Sequence, residues 1–306
     1  MNLTVAICTW NRANVLEQTL AKLEGVRVPE NVNWELLVVN NCCTDHTDDV
    51  LERYVRSLPL KRLYEPQPGL SNARNCAVDN ASGDWIIWTD DDVLVSTDWL
   101  AAYTAAFAGF PEDSFFGGPV EPWFEGPPPK WLADSIWTVG DAYALRRFGD
   151  QPVPLHHRLL PFGANYAIRT SAQKQYRYDA RLGHIGNSFG GGDETTMMHH
   201  LLDSGHSGHT VPEASVRHFI PKGRQTVRHL RRYYWATGKR VARGGRTVAG
   251  AKLLGRPRWL IKKAIVSESQ FQFGRWFSSA DRWLPALCES TISWGQLYEW
   301  KSQEVQ

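Results

Sequence analysis

Apolar positions in the first hundred residues follow two alternating periods. Leu3-Thr4-Val5-Ala6-Ile7-Cys8 is a short β-favouring run. Asn11 then caps a segment in which Val15, Leu16, Leu20 and Leu23 recur at helical spacing. The alternation repeats. Glu35 to Val39 predicts a second strand, and Val50, Leu51, Tyr54 and Val55 a second helix behind Thr44 or Asp45. Lys61 to Tyr64 predicts a third strand, Gly69 to Val78 a third helix and Asp84 to Trp88 a fourth strand. Strands separated by helices predict an α/β fold with a doubly wound, mostly parallel sheet. Ligands of such sheets collect at the carboxyl ends of the strands. The distinctive polar residues fall there: Thr9 and Arg12, Asn40 to Asp45, and Asp90 to Asp92.

After Phe115 to Val120 the pattern breaks. Gly126-Pro127-Pro128-Pro129 predicts a rigid, extended loop, and strand character returns from Pro161 to Ile168. Gly190-Gly191-Gly192-Asp193-Glu194 leads into a predicted helix from Thr195 to Leu202. From Thr226 onward, Val227, Leu230, Tyr234 and Val241 share one helix face, while Arg228, Arg231, Arg232, Lys239 and Arg240 crowd the others. The remaining tail, with Trp259, Trp276, Trp283, Trp294 and Trp300, reads as helical. The expected division is a domain over residues 1–221 and a basic, Trp-rich helical extension over residues 222–306.

Charge sharpens that division. The formal net charge is only +2, yet Lys222 to Lys263 contains 14 Lys or Arg and no Asp or Glu, so the remainder is net acidic. No nucleic-acid-binding motif accompanies the basic segment, which excludes nucleic acid as the expected partner. An anionic membrane surface or a lipid-linked diphosphate suits it better, with a solvated helix face as the plain competitor. No basic leader precedes an apolar run and no apolar stretch is long enough to span a bilayer. The expectation is a cytoplasmic protein, soluble or peripheral at the inner membrane face. Five cysteines without metal-ligand spacing suggest reduced thiols, and His199, His200, His206 and His209 fit no zinc pattern. Trp123 and Trp131 flank the proline loop, where they could stack on sugar faces or pack in the core.

The chemistry concentrates at Thr89-Asp90-Asp91-Asp92. Three like charges at a strand end repel one another unless something positive sits among them. Carboxylate oxygens suit a hard divalent cation, Mg or Mn. A solvated acidic turn leading into the next helix is the alternative. Other motifs recur in order: Val5-Ala6-Ile7-Cys8-Thr9-Trp10-Asn11-Arg12, Val38-Val39-Asn40-Asn41-Cys42-Cys43-Thr44-Asp45, Gly69-Leu70-Ser71-Asn72-Ala73-Arg74-Asn75, Gly163-Ala164-Asn165, Gly191-Gly192-Asp193-Glu194, and His218 with Arg224.

Together these motifs resemble the inverting glycosyltransferases of family 2, with the GT-A fold, over roughly residues 3 to 225. The resemblance implies a metal-dependent transfer of a sugar from a nucleotide-diphosphate donor, UDP-sugar favoured, to a glycan or lipid-linked hydroxyl acceptor. It places Asp92, Asp90 and His218 at a Mn or Mg ion. Thr9, Arg12, Asn41, Asp45, Arg74, Asp90 and Asp91 would line the donor nucleotide. Gly163, Ala164, Asn165 and Arg224 would border the acceptor or diphosphate. Asp193 or Glu194 would supply the catalytic base, the register favouring Glu194. Asn41 departs from the pattern: similar enzymes commonly carry Asp there to meet the uracil edge, and Asn both donates and accepts. A sugar-1-phosphate nucleotidyltransferase would carry a Gly-rich phosphate loop where this chain has Thr9-Trp10-Asn11-Arg12. A non-catalytic nucleotide-sugar or membrane-surface binding protein is the third possibility.

Overall fold

The computed structural model describes residues 1–180, 192–244, 251–253 and 255–303. In chain order the elements are β1 (Asn2–Thr9), α1 (Ala13–Leu23), β2 (Asn33–Asn40), α2 (Thr47–Tyr54), β3 (Leu60–Tyr64), α3 (Leu70–Asn80), β4 (Trp85–Thr89), β5 (Val93–Val95), α4 (Trp99–Gly109), β6 (Phe115–Gly117) and β7 (Val120–Phe124). These are followed by α5 (Lys130–Ser135), β8 (Asn165–Arg169), α6 (Thr170–Gln173), α7 (Asp193–Asp203), β9 (Gly208–Thr210), β10 (Val216–Ile220), α8 (Val227–Arg243), β11 (Lys252–Leu253), β12 (Arg256–Pro257), α9 (Arg258–Phe277) and α10 (Ala280–Gln303).

A seven-stranded sheet runs β3-β2-β1-β4-β8-β6-β9. Its first four strands are parallel, as the alternating pattern requires. β8 enters antiparallel to both β4 and β6. The sheet is thus mixed beyond β4, where the regular strand–helix alternation of the sequence stops. A second sheet has the order β5-β10-β7. The α/β expectation holds, with the parallel half carrying the predicted motif ends.

One buried cluster fixes the helices that matter for the site. It joins Ala6, Leu37, Ile86 and Tyr166 of the sheet to Ala73 and Ala77 of α3 and to Met197, Met198 and Leu201 of α7. Burial of the Leu, Ile and Met side chains among these contributes about 1.5–3 kcal/mol each. α3 and α7 therefore pack on the same sheet face.

The chain divides into two compact units, residues 1–123 with 144–219, and residues 124–143 with 220–306. The second unit takes up the proline loop and α5 as well as the C-terminal segment. Within it α10 packs against both α8 and α9. Thr226 caps α8, its hydroxyl accepting from the His229 amide at 3.1 Å. Leu230, Tyr234 and Gly238 form the buried stripe of α8, whereas Val241 is 45% exposed. The predicted stripe ran through Val241. A close helix crossing at Gly238 replaces it: a Cβ there would lie 2.2 Å from the Ile292 carbonyl, and one at Gly295 would lie 2.4 Å from the Trp235 carbonyl.

Candidate active site

The acidic triplet follows β4 directly, and its three side chains have different surroundings. Asp91 turns inward. Its Oδ2 accepts from the Thr9 hydroxyl and its Oδ1 from Arg12 Nη1, both at 2.8 Å, and its carbonyl accepts from Thr19 at 2.9 Å. Burial, partly offset by Arg12, pushes the Asp91 carboxyl up to about 6. The same Arg12 nitrogen lies 2.8 Å from Asp92 Oδ2. The other oxygen, Asp92 Oδ1, faces His218 Nε2 at 3.4 Å. Asp90 is half-buried, and burial followed by the charge of Asp92 raises its carboxyl too.

Strand pairing explains how His218 arrives. β10 runs antiparallel to β5 with His218 opposite Val93, and the Phe219 amide donates to the Asp92 carbonyl at 2.9 Å. One donor atom from each of Asp90, Asp92 and His218 falls within 4.8 Å of the others. Two carboxylate oxygens and an imidazole nitrogen are a donor set suited to Mn or Mg, with the imidazole favouring Mn.

A second acid cluster forms where α3 meets α7. Asp193 and Glu194 open α7 behind Gly192, whose φ is +95°. The helix begins two residues earlier than the apolar pattern alone predicts, so both acids occupy its first turn. Gly190 and Gly191 lie outside the described residues. Ser71 and Arg74 are three apart on α3 and thus share a face. The Ser71 hydroxyl donates to Asp193 Oδ2 at 3.0 Å, and Arg74 Nη1 donates to the same oxygen at 2.8 Å. Arg74 Nη1 also reaches Glu194 Oε2 at 3.3 Å. The Arg74 side chain is 4% exposed, and its guanidinium sits 5.4 Å from the Tyr178 ring centre.

The environment separates these two acids. Burial disfavours charge on both. For Asp193, Arg74 and hydrogen bonds from Ser71 and Arg74 outweigh burial and hold the carboxyl well below the usual range. For Glu194, burial outweighs Arg74, and a hydrogen bond to Asp193 together with that residue's charge adds to it, so its carboxyl rises to about 7. Gly163 borders the cluster: a Cβ there would stand 2.7 Å from Arg74 Nη2 and 3.5 Å from Glu194 Oε1.

A model of the family described as Glycosyl transferase family 2 matches residues 4–176. The chain belongs to glycosyltransferase family 2. Among curated relatives, the succinoglycan biosynthesis protein ExoM of Rhizobium meliloti is 33% identical over 102 residues, which is 33% of each chain. The poly(ribitol-phosphate) beta-N-acetylglucosaminyltransferase TarS of Staphylococcus aureus is 28% identical over 102 residues, covering 33% of this chain and 18% of TarS. The chain therefore spans well under two thirds of these relatives' length. Among solved structures, S. aureus TarS 1-349 superposes with a TM-score of 0.55 at 14% identity, covering 100% of this chain and 92% of that one. The mannosyltransferase PcManGT of Pyrobaculum calidifontis, solved with GDP-Man and Mn2+, gives 0.54 at 18% identity, covering 99% and 74%. The fold is GT-A.

Several residues that the family resemblance assigned to ligands are used by the scaffold. Asn41 Nδ2 donates to the Glu65 and Gln67 carbonyls, and its Oδ1 accepts from the Gly69 amide at 2.8 Å. Both amide protons shape the loop that starts α3. Asp45 Oδ2 accepts from the Ala13 amide at the start of α1, and Oδ1 from Thr47 at the start of α2. It caps two helices at once. Ala164 contributes its carbonyl to the Thr89 hydroxyl at 3.1 Å. Arg224 lies in the second unit, in the turn preceding α8, where its carbonyl accepts from the Tyr143 hydroxyl. Trp123 packs against Phe219 and Trp131 against Trp283.

Asn165 is the clearest structural use. It is fully buried, Oδ1 accepts from Trp99 Nε1 and the Tyr103 hydroxyl at 2.9 Å each, and Nδ2 donates to the Pro119 and Ala214 carbonyls. Every hydrogen-bonding position of the amide is used inside the fold. Asn165→Ala would strand two buried donors and weaken two carbonyls, so chemical denaturation should show a loss of about 4 kcal/mol. A change under about 1 kcal/mol would contradict this role.

Two contributors were not singled out from the sequence. Ser71 lies within the Gly69 to Asn75 motif and is detectable there as the residue one turn before Arg74. Thr19 sits among Leu16, Leu20 and Leu23 on the buried face of α1, and only its contact with the Asp91 carbonyl reveals it.

Proposed function

We propose that this protein transfers a sugar, with inversion, from a nucleotide-diphosphate donor to a hydroxyl of a glycan or lipid-linked acceptor. The observation that carries the reading is the placement of Asp193 and Glu194 in the first turn of α7, both within hydrogen-bond reach of the buried Arg74 guanidinium. A carboxyl poised near neutrality beside one locked as a charged anchor is the arrangement a general base requires. Glu194 takes the proton of the attacking hydroxyl. Asp193 stays ionised, holds the Arg74 guanidinium and accepts from the Ser71 hydroxyl. Gly163 keeps the surface beside Glu194 free of a side chain.

At the other cluster, Asp90, Asp92 and His218 would hold a divalent cation, whose chemistry there is to neutralise charge gathering on the leaving nucleoside diphosphate. Arg12 holds Asp91 and Asp92 in place beside it, and Thr9 anchors Asp91. Similarity to TarS, solved in complex with UDP-GlcNAc, supports a UDP-sugar as the first donor class to try. PcManGT, solved with GDP-Man, makes GDP-sugars the second. The test is release of nucleoside diphosphate from a panel of UDP- and GDP-sugars with Mn or Mg. Failure with every donor and both metals would sink the reading.

The raised carboxyl sets the expected pH profile. Glu194 must be ionised to accept a proton, so activity is retained above about pH 7 and lost as pH falls through it. The limiting slope on the acid side is tenfold per pH unit. A profile flat down to the ordinary carboxylate range would remove Glu194 from the role.

A further inference from the structure

Helix α9 is apolar on two opposite sides. Leu260, Ala264, Ser267 and Phe271 are its buried stripe, with Leu260 and Ala264 clustering with Leu297. The outer face of a surface helix is ordinarily polar. Here it carries Trp259, Val266 and Phe273, seven residues apart, and Phe277 four beyond, so these four share one stripe. Ile265 and Trp276 flank it. Phe273, Trp276 and Phe277 are 70%, 72% and 87% exposed.

The charges on this helix are one-sided. Arg258 and Lys262 are exposed, Lys263 is held by Glu289 at 2.8 Å, and Arg275 lies over the Phe271 and Trp276 rings. Its single acid, Glu268, is engaged by Arg231 at 2.7 Å and by Ser290 and Gln272. A symmetric second copy would add the same cations to the interface with no exposed acid of α9 to answer them. Anionic headgroups answer them directly, and Trp and Phe favour the depth at which headgroups meet acyl chains. At 20 residues the helix is about 30 Å long, yet no helix among the described residues is long and apolar enough to cross a membrane. Helix α8 is the weaker candidate, because Arg231 is drawn to Glu268 and over the Phe271 ring.

We propose that α9 docks this protein on an anionic lipid bilayer, lying in the surface plane with Trp259, Val266, Phe273, Trp276 and Phe277 inserted and Arg258 and Lys262 at the headgroups. The inference is independent of the transfer chemistry.

Co-sedimentation of the full chain with phosphatidylcholine vesicles, with and without phosphatidylglycerol, tests it. Binding should require phosphatidylglycerol and weaken with salt. Phe273→Ser with Trp276→Ser and Phe277→Ser should weaken it by at least ~tenfold, since three large apolar side chains leave the lipid. These positions face solvent, so the thermal melt should not move. Arg258→Glu with Lys262→Glu should abolish the phosphatidylglycerol preference. The proposal is overturned if the native chain stays in the supernatant with both vesicles. It is equally overturned if the triple variant binds as tightly as the native chain. A native dimer that the triple variant dissociates, without vesicle binding by either, assigns the face to self-association instead.

Discussion

Glu194→Gln should lower the rate of sugar transfer by about 10²–10⁴-fold, the span that a positioned general base contributes. That equals roughly 3–5 kcal/mol of transition-state stabilisation. Gln keeps the shape and can still meet Arg74, but it cannot accept a proton. The loss should therefore fall on kcat, with the KM for donor little changed. Asp193→Asn makes the informative contrast. Asp193 and Arg74 are buried together, with side chains 1% and 4% exposed. Removing one charge of such a pair costs about 3–5 kcal/mol of stability. Asp193→Asn should thus show a large drop in denaturation midpoint, whereas Glu194→Gln melts near the native temperature and is inactive. The reverse pattern, a stable and inactive Asp193→Asn beside an active Glu194→Gln, would exchange the two roles.

The second large effect is expected at the triplet. A nucleoside diphosphate at 100 times its Kd stabilises a protein by about 2.7 kcal/mol. For a chain of this size that is a rise of several degrees in Tm, at about 2–4 °C per kcal/mol. The rise should require Mn or Mg, and Asp92→Asn should remove its metal-dependent part. Asp92 is the residue to change because it joins the two halves of the cluster: Oδ2 rests on Arg12 and Oδ1 faces His218. Asp91→Asn should instead act mainly on folding, since its oxygens are taken by Thr9 and Arg12. An unchanged shift in the presence of a chelator would separate Asp92 from any metal.

Local pattern and tertiary arrangement contributed differently to these expectations. The four parallel strands were legible because a buried parallel strand and an amphipathic helix each impress their own period on the chain. Thr9, Asn41 and Asp90 to Asp92 were legible as a group because strand ends in such a sheet converge. The mixed half of the sheet was not, since β6 and β9 are too short to show a period. Whether a polar side chain near the site faces ligand or scaffold was also hidden. Asn41 and Asn165 hydrogen-bond to groups far along the chain, as Asp45 does with the Ala13 amide, and no local window contains those partners.

By itself, then, the sequence determined the parallel α/β core, its family and the acids available for chemistry, because periodicity and strand-end position are short-range properties. Only the tertiary structure decided what surrounds each acid. Arg74 meets Asp193 across 119 positions of sequence, and His218 meets Asp92 through the pairing of β10 with β5. Proton affinity depends on burial and on the charges within a few ångströms, and those neighbours exist only once the chain has folded. The outer face of α9 follows the same logic: its apolar residues were visible in the chain, but which of them remain exposed was settled by packing against α10.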